Sequence, residues 1–140
     1  MRHVRTIAAI LLVWGFVVGS AHGQAGAPGI KVNVPFQFMI GRTSFSPGVY
    51  LIISSRDKVW VQQESGQNVA VLFTGALDGK VPERDGRVIF DCYVGECFLS
   101  QVWIAGQEAG RTVPKSKHQI QLASKAGGQQ FALLGTKPLR

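Results

Sequence analysis

Between Ile30 and Ile40 the chain alternates without a fault. Ile30, Val32, Val34, Phe36, Phe38 and Ile40 fall on one side, and Lys31, Asn33, Pro35 and Gln37 on the other. Successive side chains of a strand point to opposite faces, whereas a helical period would scatter these residues around a cylinder. The segment therefore reads as one half-buried strand. Pro35 has no N–H to give to a ladder, so the strand belongs at a sheet edge or carries a bulge.

The rest of the chain follows in short apolar runs broken by turn residues. Pro47 and Gly48 suit a type II turn, with glycine supplying the positive dihedral. Val49 to Ser54 is apolar on both faces and reads as a more central strand. Val59 and Val61 oppose Trp60 and Gln62, and "VAVLFT" follows after a further turn. "GALDGKVPERDGR" (75–87) reads as the longest ordered loop. Arg87 to Tyr93 and Cys97 to Ile104 are two more strands. Ser116 to Lys125 fits a short helix capped by Ser116, but the alternation of Ile120 and Leu122 fits a strand as well. "FALLG" supplies a last short strand. The expected class is all-β: a single small antiparallel sandwich or barrel-like domain of about six to seven strands, followed by a loop-rich basic tail.

The opening "MRHVRTIAAILLVWGFVVGSAHGQ" carries Arg2 and Arg5, an apolar run from Ile7 to Val18, and Ala21 and Gly23 where a peptidase expects small residues. It reads as a signal peptide, 1–23, before a β-domain, 24–110, and a tail, 111–140. The run falls short of the roughly 20 residues of a membrane span, though an uncleaved anchor is the rival reading. The expected location is periplasmic or extracellular, after cleavage near Gly23. The formal net charge of +7 is unevenly spread. Beyond Gly110 stand Arg111, Lys115, Lys117, Lys125, Lys137 and Arg140, with no acid among them. Arg111, Lys115, Lys117 and Lys125 are the candidate contact with an anionic envelope polymer or lipid surface; a merely solvated terminus is the simpler reading. An exported protein is not expected to work on nucleic acid.

Groups suited to catalysis are scarce. His118 is the single histidine after the leader, and it sits among basic residues, an unpromising place for a hydrolytic triad. Asp57, Glu64, Asp78, Glu83 and Asp85 fall in turns or loops. Asp91 is the exception, lying mid-strand in an apolar context, where it either pairs with a basic neighbour or marks a bulge. No metal or cofactor is expected, and the chain reads as non-enzymatic.

Cys92 and Cys97 are the only cysteines. Zinc asks for about four ligands, and a thioredoxin-like site has two intervening residues where this pair has four. A hairpin fits better. With Val94 and Gly95 as a two-residue turn, Tyr93 faces Glu96 and Cys92 faces Cys97 in a non-hydrogen-bonded pair. Such pairs have Cα atoms about 4.5 Å apart, within reach of a disulfide. The same register sets Phe90 opposite Leu99 and Val88 opposite Gln101. Against it, valine is a poor residue for the positive dihedral of a primed turn. A three-residue loop with Gly95 in a bulge would offset the cysteines.

Two stretches, "VNVPFQFMIGRTSFSPGVYLI" and "FLSQVWIAGQEAGRTVPKSK", together resemble a family of small, signal-peptide-bearing bacterial proteins of unknown function. Its pattern is a "VNVPF-x-F-x-x-G" segment and a "P-x-G-x-Y" turn, then an "F-L-S-x-x-W" strand and a "G-R-x-x-P-K-S" segment. The resemblance covers about Val32 to Lys117. It implies export and a small β-rich domain, brings no catalytic residue, and makes the cysteine pair a local addition. Trp60 and Trp103 read as core aromatics, or alternatively as platforms for sugars. The expected function is a structural or binding role in the envelope or outside the cell. The alternatives are a barrel-type carrier of a small apolar ligand and a hydrolase of envelope polymers.

Overall fold

The computed structural model describes residues 28–65, 68–79, 86–107 and 109–136. The leader, residues 80–85 of the 75–87 loop with Glu83 and Asp85, and Lys137 and Arg140 lie outside the described residues. The strands are β1 (Gly29–Val34), β2 (Phe38–Ile40), β3 (Thr43–Phe45), β4 (Gly48–Ser55), β5 (Lys58–Gln63) and β6 (Asn68–Phe73). They continue as β7 (Gly75–Asp78), β8 (Arg87–Tyr93), β9 (Glu96–Trp103), β10 (Ala109–Thr112) and β11 (Gln129–Leu134). One helix, α1 (Lys117–Lys125), precedes β11. Among the described residues the chain is thus mostly β, with eleven strands where six to seven were expected.

The strands form two sheets. The first is antiparallel, in the order β1-β4-β5-β6, and the second runs β11-β8-β9-β10-β7. In the second sheet β2 also meets β9 in parallel, through Met39 and Phe98, and β3 pairs with β2. Lys31 and Thr136 exchange backbone hydrogen bonds of 2.8 Å in each direction, joining β1 to the chain just past β11 and so linking the two sheets at one edge.

Several expectations change here. The alternating segment is not one strand. It divides at Pro35–Gln37, so that β1 belongs to the first sheet and β2 to the second. Its alternation survives the break: Ile30, Val32, Val34, Phe38 and Ile40 are buried and Phe36 is half-buried. β1 stands at the edge of the first sheet, and Pro35 falls in the break just after it, where no ladder bond is needed. Gly48 is not the positive-dihedral residue of a type II turn. It is the first residue of β4, paired with Val34, and the positive φ falls at Gly41 (62°), between β2 and β3. β7 occupies the start of the segment expected to be loop, because Gly75–Asp78 finds β10 as a partner.

Ile30, Val32, Tyr50, Ile52, Val59 and Val61 of the first sheet share one core with Val88, Phe90, Leu99 and Val102 of the second. Aromatic edges knit its centre. Phe38 meets Tyr50 at 5.0 Å and Phe90 at 5.3 Å between centroids, and Phe36 meets Phe90 at 5.1 Å.

The β8–β9 hairpin keeps its expected register near the turn: Tyr93 with Glu96, Cys92 with Cys97, Phe90 with Leu99. Farther in it departs. A bulge shifts the ladder, so Val88 pairs with Val102 and Gln101 moves opposite Ile89. Without the bulge, the amide of Gln101 would face the core beside Val88. With it, Val102 takes that place, at 1 % exposure. Burying an apolar side chain there, and sparing a polar one, offsets the lost ladder bond.

Candidate functional site

The hairpin turn is real. Val94 (φ 50°) and Gly95 (φ 81°) both take positive dihedrals, as a type I′ turn demands. Cys92 and Cys97 are disulfide-bonded, with Cα atoms 4.0 Å apart. Cys92 is buried in the core and Cys97 packs against it. The pair is a cross-link at one end of the second sheet.

Because successive residues alternate, the other face of the same hairpin carries Tyr93, Asp91 and Phe98 away from the core. This outer face is covered at one end by α1 and its flanking segments. Ser116 caps the helix, its hydroxyl accepting from the Gln119 N–H at 3.1 Å, which settles the helix-or-strand alternative for this stretch. Gln119 is buried, and its Nε2 has no hydrogen-bond partner. His118 lies 2.7 Å from Glu96 through Nε2 and Oε2, with its ring 6.0 Å from that of Phe98. Both partners are about half-exposed, so the pair pins the helix start to the hairpin without contributing much energy.

Asp91 lines a cavity of about 280 Å³ with Tyr93, Lys115, Gly128, Gln129 and Gln130. It is 6 % exposed. Its Oδ1 accepts a 3.0 Å hydrogen bond from Gln130 Nε2, made possible by the register that sets Gln130 opposite Asp91. The expected basic partner is therefore an amide: Lys115 lines the same cavity, and among the described residues Asp91 has no ion pair. The bulge lies farther along β8, between Ile89 and Phe90. An ionised carboxylate has about four acceptor positions. One is used by Gln130, which leaves capacity for donors entering the cavity.

The four basic candidates stand at several places in the fold. Lys115 joins the Asp91 cavity, while Lys117 and Lys125 are exposed at the two ends of α1. Arg111 sits on β10 and lines a second concavity, of about 370 Å³, with Arg56, Gly106, Gln107 and Ala109. Trp103 is a buried aromatic on the outer face of the second sheet, with Arg87 5.1 Å above its ring and its Nε1 donating to Gln101 at 2.9 Å. Trp60 is half-buried on the first sheet, between Ile53 and Val71 in register.

Sequence reasoning singled out Asp91 but missed Tyr93, Gln129, Gln130 and Arg56 as cavity residues. Gln129 and Gln130 looked like linker, and only their pairing with β8 gives them a role. Arg56 looked like an ordinary turn residue. Among the described residues, no group of three or more histidine, cysteine or acidic side chains is placed to hold a metal ion. No protein-family model matches the chain, and comparison with curated proteins and with solved structures likewise found no match.

Proposed function

We propose that this chain is an exported, non-enzymatic binding domain, built as a two-sheet sandwich, that takes one sugar residue of an acidic envelope polymer in the cavity around Asp91. The observation that carries the reading is a buried carboxylate with free acceptor capacity on a rigid strand, facing a polar cavity that also holds a lysine and two glutamines. Sugar hydroxyls are donors that suit Asp91, and they can also pair with the amides of Gln129 and Gln130. Lys115 suits the acid group. A cavity of about 280 Å³ lies near the lower end of ligand sites, roughly 300–1,000 Å³, a size suited to a single ring. Export is supported by the leader-like first 23 residues and by a cystine, which persists in oxidising compartments.

The other readings have less behind them. The space between the sheets is taken up by Tyr50, Phe90 and their neighbours, where a carrier would need a lined cavity. His118 is engaged with Glu96 and does not line the Asp91 cavity, where a hydrolase would want a base.

The test is a titration of the isotope-labelled secreted protein with galacturonic acid and its dimer, and with galactose as the neutral control. Amide shifts should gather at Asp91, Gln129 and Gln130. Asp91→Asn and Lys115→Gln should each weaken binding several-fold, and galactose should bind less well than the acid. Shifts elsewhere, or variants that bind like the parent, would remove the reading.

A further inference from the structure

The first sheet has a second face that the core does not use. In β4, Tyr50, Ile52 and Ser54 point inward, while Val49, Leu51 and Ile53 point outward. In β5, Val59 and Val61 point inward and Trp60 outward, and Val71 of β6 stands opposite Trp60. The outward row is thus as apolar as the inward one. An antiparallel sheet with water on one face ordinarily carries polar side chains there. Here Val71 is 53 % exposed, and Val49, Leu51, Ile53 and Trp60 are half-buried, each with part of its surface in water.

The layout of this face is that of a contact. The register sets Ile53, Trp60 and Val71 side by side on three neighbouring strands, with Leu51 next to Ile53 along the outer side of β4. β4 and β5 are the two middle strands, so this apolar group holds the centre of the face. Around it stand Lys31 and Asn33 on β1, Ser55 at the end of β4, and Lys58 and Gln62 on either side of Trp60 along β5. An apolar centre with an aromatic anchor inside a polar rim is the common build of a protein interface.

We infer that this face is the contact between two copies of this chain, stacked sheet on sheet across a two-fold axis. Charge favours a second copy. The chain as a whole carries +7 and repels itself wherever bare charge meets like charge. On this face the Lys31 ammonium is met by the Glu64 carboxylate, so a copy approaches at little cost. A lipid surface would instead ask for an unmatched basic rim. Shape favours it too, because a sheet face stacks readily on another like itself, and a two-fold axis uses the same patch on both copies. Four strands about 4.8 Å apart, each of six residues or more at about 3.3 Å, make a face of roughly 400 Å² in outline, before side-chain relief is counted. Two such faces lie at the low end of specific interfaces, which bury about 1,200–2,000 Å² in all. The pair should therefore form in the micromolar range. The Asp91 cavity lies beyond the second sheet and stays open in it.

The experiment is sedimentation equilibrium of the full secreted chain from about 1 µM to about 1 mM, with tryptophan emission read over the same dilution. A monomer–dimer equilibrium is expected, and dilution should shift the emission to the red as Trp60 meets water. Trp60→Phe should remove that shift. Val71→Lys changes a side chain already open to solvent. It should keep the parent's melting temperature in dilute solution and raise the dissociation constant at least tenfold. Trp60→Ala should raise it as much. Leu134→Lys, on the edge strand β11 of the second sheet, should dimerise as the parent does. The inference is overturned if the chain stays a monomer throughout, if Val71→Lys dimerises like the parent, or if Leu134→Lys breaks the dimer as strongly as Val71→Lys. A monomer that binds phosphatidylcholine vesicles through Trp60 would give the face to a lipid surface, and that result overturns it equally. Asp91→Asn should dimerise unchanged, so failure of this contact and failure of the sugar site are read separately.

Discussion

Removing the Cys92–Cys97 bond asks what holds the β8–β9 turn in place. The cysteines are five positions apart, so the closed loop is short, and the chain-entropy argument gives the bond about 2 kcal/mol. The turn it closes carries an internal conflict. Val94 sits at φ 50°, where a β-branched side chain is strained by about 1–2 kcal/mol. Asn-Gly is the favoured pair for this turn, so Val94→Asn should return about 1 kcal/mol of that. The pairings Phe90–Leu99 and Tyr93–Glu96 flank the cysteines in register. This implies that the ladder, and not the cystine, imposes the turn, so the two effects should add. Urea unfolding of the parent, Cys92→Ala/Cys97→Ala, Val94→Asn and the triple variant forms a complete cycle. The cysteine variant should lose about 2 kcal/mol, and Val94→Asn should gain about 1 kcal/mol with or without the bond. The reasoning fails if the asparagine helps only when the cystine is intact, since the strain would then belong to the bond. It fails equally if loss of the cystine leaves the urea midpoint unmoved.

Two further outcomes are expected. A methyl group at Gly110 would stand 2.7 Å from the ring of Trp103. Gly110→Ala should therefore displace that ring, destabilise by about 1–3 kcal/mol and change the near-ultraviolet circular dichroism; an unchanged spectrum would count against this packing. Burial raises the Tyr50 phenol above its ordinary 10.0. The unfolded chain thus sheds this proton first, and stability should fall as the pH rises above about 10. Tyr50→Phe should flatten that fall, and at neutral pH it should lose about 1 kcal/mol with the 2.6 Å hydrogen bond to Ser46 O. A slope that Phe does not alter would assign the effect elsewhere.

The alternation from Ile30 to Ile40 and the valines at 59 and 61 announced strands, because period two is local and visible without partners. The cysteine register was readable for the same reason. A two-residue turn fixes which neighbours face each other, and no distant contact is needed to count outward from it.

What lay beyond local pattern needed the fold. That the alternating segment divides at Pro35 and serves both sheets depends on where β4 and β9 stand. The register shift between Ile89 and Phe90 in the β8–β9 ladder follows from core space, which prefers Val102 to Gln101 beside Val88. Gly75–Asp78 and Gln129–Leu134 became strands only by finding β10 and β8. The cavities were hidden for the same reason: Asp91 stands 39 positions from Gln130, and Arg56 and Arg111 come from different sheets. Periodicity records which face a side chain takes. Which strand lies opposite is decided by packing and by backbone hydrogen bonds between distant segments, and in this chain both candidate sites arise there.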